Sequence, residues 1–372
     1  MQKIDLKHLD KTDWQSFRFE EIAKKISETV DPSKTELEIY VGLEHIDPED
    51  IHIRRKGVPA DVSGGKLKCY PGDVIFGKRR AYQRKAAIVD FEGICSAHAF
   101  VFRANPKVID PKLFPLFLHS DQFMHRMVDI SVGGLSPTIN WGDLKDQEFL
   151  LPPKEEQAKL AELLWAMDEV IEREKDLSFK LKISRDLYFE NLIIGTSGKK
   201  VKLSKILIPK NGKSQVPHKR DKYIGLEHID SGEFYTDKFD NTDIVKAQCN
   251  IVDKGDLCYS KLRPYLDKAI IATFDAVSTT ELLVYNTKMV TKEYVLYHMH
   301  SRPFLNYITG QGFGTKMPRV SHKIIGDYEI LVPNDEGVII FKMDEFLKNS
   351  NITKAKIESS KTLQKSLINQ IF

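Results

Sequence analysis

The sequence predicts an α+β protein: two tandem-repeat domains of mixed α/β structure, each followed by a long helix, with the two helices paired as an antiparallel coiled coil. Three observations predict it. First, the octapeptide Tyr40-Val-Gly-Leu-Glu-His-Ile-Asp47 returns as Tyr223-Ile-Gly-Leu-Glu-His-Ile-Asp230, a shift of 183 in a chain of 372 residues. Second, the register holds beyond it. Gly72-Asp73 matches Gly255-Asp256, Lys78 matches Lys261, Arg80 matches Arg263, Tyr82 matches Tyr265 and Lys85 matches Lys268. Pro137, Leu150 and Pro152 then match Pro318, Leu331 and Pro333 at a shift of 181. Internal repetition of this kind outranks other sequence signals. Third, each repeat ends in a stretch free of interior proline with apolar residues at helical spacing.

Each repeat follows one plan. Opening segments at 14–26 and 201–208 lead to the octapeptide, read as an extended strand. Short strands follow at 73–76 and 86–89, with counterparts at 256–259 and 269–272, separated by turns such as Pro71-Gly72 and Lys254-Gly255. Helical stretches come next at 111–128 and 292–307. A glycine-rich loop (Val132-Gly133-Gly134; Gly310 to Gly314) then leads to a last strand ending in Leu-Pro or Val-Pro. Past that proline, 154–194 contains apolar residues at 160, 163, 164, 167, 170, 171, 177 and 181. About 40 residues at 1.5 Å each make a rod of roughly 60 Å. The second repeat has its own version at 338–372. So wide an apolar stripe does not stay alone in water, and pairing the two helices covers it. The boundaries expected are a first domain at 1–152, a central helix at 153–196, a second domain at 197–334 and a C-terminal helix at 335–372.

Composition is that of a soluble globular chain, 41% hydrophobic and 10% aromatic. No apolar run is long enough to span a membrane, and the first residues lack the apolar core of a signal peptide. Cys69, Cys95, Cys249 and Cys258 have no C-x-x-C spacing and read as buried free thiols of a reducing cytoplasm. A net charge of +3 is mild, but its distribution is not. The 54–88 segment holds ten Lys or Arg against Asp61 and Asp73, and 199–223 holds nine against Asp221. Two cationic patches in two repeats are the footprint of a phosphate-backbone binder.

Signals for catalysis fail one by one. Leu151-Pro152-Pro153-Lys154 lacks the polar and aromatic flanks with which an amino-methyltransferase clamps a flipped base. Gly310-Gln-Gly312-Phe-Gly314 follows a helix rather than a strand. Gly212-Lys213-Ser214 lacks the earlier glycine of a phosphate-binding loop, since position 207 is Leu. The chain has no Pro-Asp and no Glu-x-Lys of a metal-dependent nuclease. His298 and His300 read as packing residues. Glu44-His45 and Glu227-His228, as strand neighbours facing opposite sides, read as structural.

Two repeats, each with Gly-Asp-hydrophobic, then Lys-x-Arg, then a Leu-Pro or Val-Pro strand and a long helix, resemble the DNA-specificity (S) subunit of Type I restriction–modification systems. Pro152-Pro153-Lys-Glu-Glu156-Gln157 followed by Leu160 and Leu164 is the most specific local signature; the second repeat departs from it with Pro333-Asn-Asp-Glu336-Gly337. The resemblance implies two target recognition domains, each reading half of a bipartite double-stranded DNA sequence, with the paired helices as a ruler between them. It implies a non-catalytic chain that binds no cofactor and no membrane. Its partners would be two methyltransferase subunits using S-adenosylmethionine, joined in the full complex by two restriction subunits.

The DNA-contacting residues expected from the sequence lie in two loops of each repeat. Lys78, Arg79, Arg80, Tyr82 and Arg84 follow one strand, with Lys261, Arg263 and Tyr265 as counterparts. Shared members suit backbone anchoring, whereas the unshared Arg79 and Arg84 (against Leu262 and Asp267) suit base readout. The second loop offers Thr138, Asn140 and Trp141 in the first repeat and Lys316, Arg319 and His322 in the second. A stand-alone two-domain nucleic-acid binder or regulator would use the same cationic loops, and an enzyme with an unrecognised active site is the remaining class.

Overall fold

The computed structural model describes residues 11–312 and 317–372. The chain forms two compact units, one of Met1–Asp176 with Ala355–Phe372, the other of Leu177–Lys354.

In the first unit a four-stranded antiparallel sheet runs in the order Ala23–Ile26, Ala99–Ala104, Val74–Gly77, Ala86–Ile88. Successive side chains of a strand point to opposite faces, and both faces here are buried. Phe76, Phe100 and Phe102 enter a large aromatic core with Phe19, Phe114, Phe117, Phe123 and Phe149. Ile75, Ala99 and Val101 turn to a smaller core shared with a second sheet (Thr29–Val30, Lys66–Cys69, Gly93–Cys95, Tyr40–Val41). The opening strand Gln15–Arg18 pairs with the closing strand Glu148–Leu151, which seals the domain just before the long helix.

The second unit repeats this pairing in register. Val74 faces Phe102 in the first, and Leu257 faces Tyr285 in the second, each partner shifted by the same 183 positions. Its central sheet is Leu207–Pro209, Leu282–Thr287, Leu257–Ser260, Ala269–Ile271, and Gly198–Lys202 pairs with Glu329–Pro333. The repeated Gly-Asp also has a cause. Gly72 and Gly255 sit at φ of 89° and 85°, where a side chain is strained. The next residue is buried and paired: Asp73 takes a two-pronged bond from Arg103 (2.7 and 2.9 Å), and Asp256 takes Lys210 at 2.6 Å. A buried carboxylate needs such a partner.

Two expectations are corrected. The octapeptide is a strand only at Tyr40–Val41, and at Lys222–Ile224 in the second unit; Leu43–His45 and Leu226–His228 are 3-10 turns. His45 and His228 each accept their own backbone through Nδ1, from the N–H of Gly42 (3.1 Å) and Gly225 (3.0 Å). This local bond competes with a strand ladder. The helical stretches at 111–128 and 292–307 each break in two, giving Phe114–Leu118 with Asp121–Asp129, and Lys292–Met299 with Arg302–Gly310. The breaks fall at Ser120 and Ser301, both extended, and Ser120 Oγ caps the following turn by accepting from Phe123 N–H.

The central helix is Lys154–Gly195 and the C-terminal helix Gly337–Ile371. Within each unit they run antiparallel. In the first, Gln364 Nε2 donates to Leu164 O (3.3 Å) and Ser360 Oγ to Glu174 (3.0 Å). In the second, the rings of Tyr188 and Phe346 lie 5.5 Å apart, and Phe189 shares the core with Ile339, Met343 and Leu347. Ile368, Ile371 and Phe372 belong to the aromatic core of the first unit, where Phe372 meets Phe117 at 5.1 Å. Asn369 clamps the start of Asp121–Asp129 through the Asp121 N–H and carboxylate.

The Pro-Pro-Lys-Glu-Glu-Gln signature is an anchor. Gln157, 1% exposed, accepts the Asp110 N–H (2.7 Å) and donates to Val108 O (3.0 Å) and Pro152 O (2.8 Å). In the second unit the Glu336 carboxylate accepts the Thr291 N–H (3.0 and 3.2 Å), so an acid does part of the amide's work where the motif departs. The loop between the strands Tyr40–Val41 and Lys66–Cys69 is tied to the central helix as well. Arg54 bonds Glu172 in two prongs (2.6 and 2.7 Å), and His52 meets Asp168 at 2.7 Å. The four cysteines are buried free thiols. Among the described residues no helix is long and apolar enough to cross a membrane.

Candidate nucleic-acid interface

The two loops nominated separately from the sequence are brought together in each unit. In the first, Arg80 N–H donates to Pro137 O (2.7 Å), Ile139 N–H donates to Lys78 O (2.9 Å), and Arg79 lies opposite Thr138. In the second, Arg263 N–H donates to Pro318 O (2.7 Å), Val320 N–H donates to Lys261 O (2.9 Å), and Leu262 lies opposite Arg319. One stitched pair of loops is therefore built twice.

The first loop of each pair is a one-turn 3-10 helix, Ala81–Gln83 or Pro264–Leu266, flanked by left-handed residues. These are Arg80 (φ 57°) and Arg84 (φ 52°), then Arg263 (φ 50°) and Asp267 (φ 51°). None is glycine, and such backbones cost of order 1–3 kcal/mol each. The geometry is held by pegs. Ala81 and Pro264 are buried and pack on Asp121–Asp129 and Arg302–Gly310 respectively. Strain kept at the same two positions of both repeats marks a loop shaped for presentation.

What the loops present is cationic and aromatic. Tyr82 and Tyr265 are 54% and 51% exposed. Arg79 is exposed. Lys78 stands over the Phe100 ring at 5.2 Å, and burial, with Lys25 nearby, lowers its pKa. An ammonium in that position has an unmet demand for an anion. Lys261 is 4.0 Å from Glu281. Arg80 is exposed, with its Nε donating to Ser136 Oγ (3.1 Å). Arg319 donates its Nε to Glu281 (3.2 Å).

Other nominated residues are turned inward or committed elsewhere. Arg84 pairs with Asp121 (2.6 Å) and Glu49 (2.9 Å) and donates to His119 O, so it is a strut beneath the loop. Its register partner Asp267 bonds His300 Nδ1 at 2.7 Å. Arg263 is half-buried with its Nε enclosed. Asn140 donates to Asp143, and Thr138 donates to Ser136 O. Trp141 packs edge-on against Phe19 and Phe100, and His322 meets the Tyr285 hydroxyl at 3.0 Å. Lys316 lies outside the described residues. Ser136 and Glu281, which hold the Nε of Arg80 and of Arg319, are not among the residues nominated from the sequence, since neither is a cation. Register alone could have flagged Glu281, whose counterpart at 183 is His98.

Two side-chain groups have the spacing of metal ligands but not the chemistry. In Glu227, His228 and Asp240, the His228 Nδ1 lone pair is taken by Gly225 N–H, which leaves the proton on Nε2. In His52, Asp168 and Glu172, both Glu172 oxygens face Arg54 and one also meets Lys175, which holds its carboxyl down at about 2.

Comparison with known proteins agrees with this architecture. Residues 11–182 match the Type I restriction modification DNA specificity domain. Over 168 residues, 43% of this chain, the sequence is 27% identical to the Type I restriction enzyme EcoDI specificity subunit of Escherichia coli, and the match spans 37% of that protein's length. A structure described as the basis of complex assembly and conformational transition of the type I R-M system superposes with a TM-score of 0.55 at 17% identity, over 96% of this chain and 97% of that one. The Type-I restriction-modification system S subunit from M. genitalium superposes with a TM-score of 0.52 at 16% identity, covering 98% of both chains. Over its first repeat the sequence is thus similar to the DNA specificity domain of Type I restriction–modification systems, and nearly the whole chain shares the fold of these solved type I structures.

Proposed function

We propose that each unit's stitched loop pair reads one half of a bipartite, asymmetric double-stranded DNA target, and that the chain is the non-catalytic subunit that sets methyltransferase subunits on it. The carrying observation is the duplication of one strained, cationic, two-loop face on two separate scaffolds. Lys78, Lys261, Tyr82 and Tyr265, shared in register, anchor the phosphate backbone; Arg79, Arg80 and Arg319 face the bases. Two methyltransferase subunits bring S-adenosylmethionine and methylate adenine, and two restriction subunits complete the assembly.

The helices favour this reading over a stand-alone binder. Paired as they are, they still expose apolar side chains: Val170 and Leu363 in the first unit, and Leu177, Phe179, Leu187, Ile194, Val338, Phe341 and Ile352 in the second. Phe179 and Phe341 are 64% and 62% exposed. Apolar surface on that scale suits a protein partner.

The test is a methylation map of the source genome with and without this gene. Deletion is expected to erase one gapped, bipartite adenine-methylation motif. An unchanged map with the partner methyltransferase expressed would falsify the proposal. At the level of single residues, Lys78→Ala and Lys261→Ala are each expected to weaken binding to all duplexes alike. Each should also reduce the slope of log affinity against log salt by about one. An unaltered slope removes that lysine from the phosphate-contacting set.

A further inference from the structure

We infer that Arg319 is a guanine-reading residue of the second unit and that Glu281 is its positioning residue. The inference rests on the DNA-reading assignment above and deepens it.

Glu281 is an acid inside a cationic face. It immediately precedes the strand Leu282–Thr287, and its carbonyl accepts the Lys261 N–H at 3.0 Å, which fixes it beneath the first loop. Its carboxylate reaches Arg319 Nε of the second loop at 3.2 Å and stands 4.0 Å from Lys261 Nζ. A carboxylate there repels phosphate, so it adds nothing to backbone affinity. Its effect is on the arginine. Holding Nε fixes the plane of the guanidinium, and among the described residues neither terminal nitrogen has a hydrogen bond. The side chain is 45% exposed. Two free parallel N–H groups in a fixed plane are the fork that matches guanine O6 and N7 in the major groove.

The first unit reaches the same end with different residues. There the register counterparts of Arg319 and Glu281 are Thr138 and His98, which cannot form the pair. The fixed guanidinium is instead Arg80, exposed, with its Nε on Ser136 Oγ. Its counterpart Arg263 has its Nε enclosed and without a hydrogen-bond partner among the described residues. The oriented arginine thus moves from the first loop in one unit to the second loop in the other. Two repeats of one scaffold would then place their guanine at different points of their half-sites.

The test uses the full chain co-expressed with its methyltransferase subunit in a host lacking adenine methylation, with the methylated motif read by sequencing. Wild type is expected to give a bipartite motif with a guanine, on either strand, in the half-site assigned to the second unit. Arg319→Lys keeps the charge but removes the fork. It should relax that one position by about ten- to hundred-fold and leave the other half-site unchanged. Glu281→Ala should relax the same position while leaving affinity for unrelated duplex equal or higher, since a negative charge is lost. Glu281→Gln should fall between it and wild type. An Arg319→Lys motif identical to wild type, or a Glu281→Ala variant that loses methylation evenly at all sites without relaxation, overturns the assignment. A wild-type complex with no bipartite motif removes the underlying reading instead.

Discussion

Gln157→Ala is expected to lower the stability of the first unit by about 3–5 kcal/mol, because it leaves one buried N–H and two carbonyls without partners at roughly 1–3 kcal/mol each. The amide joins three backbone sites, at 108, 110 and 152, to the first turn of the central helix. Water cannot replace it where the side chain is 1% exposed. For a unit of this size the thermal midpoint should fall by about 10 °C. Gln157→Glu should be no milder, since it keeps the acceptor but turns a carboxylate on two carbonyls. Glu336→Ala, its nearest equivalent in the second unit, removes one acceptor from a half-exposed position and should cost about 1 kcal/mol. Calorimetry of the three variants checks the order; a Gln157→Ala midpoint within 2 °C of wild type, against a ~10 °C expectation, would sink the anchoring role.

The second unit is expected to lose stability as the pH falls below about 6.5, and His298 is the cause. The ring is buried between Phe189 (5.0 Å) and Tyr294 (4.9 Å), and its Nε2 has no hydrogen-bond partner among the described residues. Burial pushes the imidazole from 6.5 down to about 3. The folded pKa is depressed, so the unfolded chain binds the proton first. The contribution is complete above 6.5 and declines toward 3, by about 1.4 kcal/mol per pH unit. At pH 5 that amounts to about 2 kcal/mol. His298→Phe keeps the packing and removes the proton. Its midpoint should vary less between pH 7.5 and pH 5 than that of wild type. Parallel pH profiles for the two proteins would show that other groups set the dependence. His52 works in the opposite sense. Its bond to Asp168 raises its pKa, so its contribution is complete below 6.5 and is lost as pH rises through the folded value.

The fold was largely legible because the repeat supplied it twice. Strands at 74–77 and 257–260, and the register shift that relates their partners, follow from Gly-Asp and the alternation after it. What escaped was local competition and distant pairing. Alternation cannot reveal that His45 will accept its own Gly42 N–H and curl the octapeptide into a turn. Ser120 and Ser301 recur at a shift of 181, but apolar spacing on both sides hid the break. Of the candidate site, the sequence nominated two loops, and it showed neither their stitching nor the partners of each arginine. Arg84 looked free to read bases, and only the fold brings Glu49 and Asp121 to it.

The placement of residues 355–372 in the first unit has a consequence for synthesis. Residues 1–176 leave the ribosome well before Ile368, Ile371 and Phe372 exist to fill their place beside Phe117. At 5–20 residues per second the wait is roughly 10–40 s. Through that interval the earlier-made of the two units has an open apolar seat, while the later one can close around its own sequence. The order of maturation is then the reverse of the order of translation, and a chain broken off before 355 would keep its first domain permanently unsealed, an aggregation-prone species.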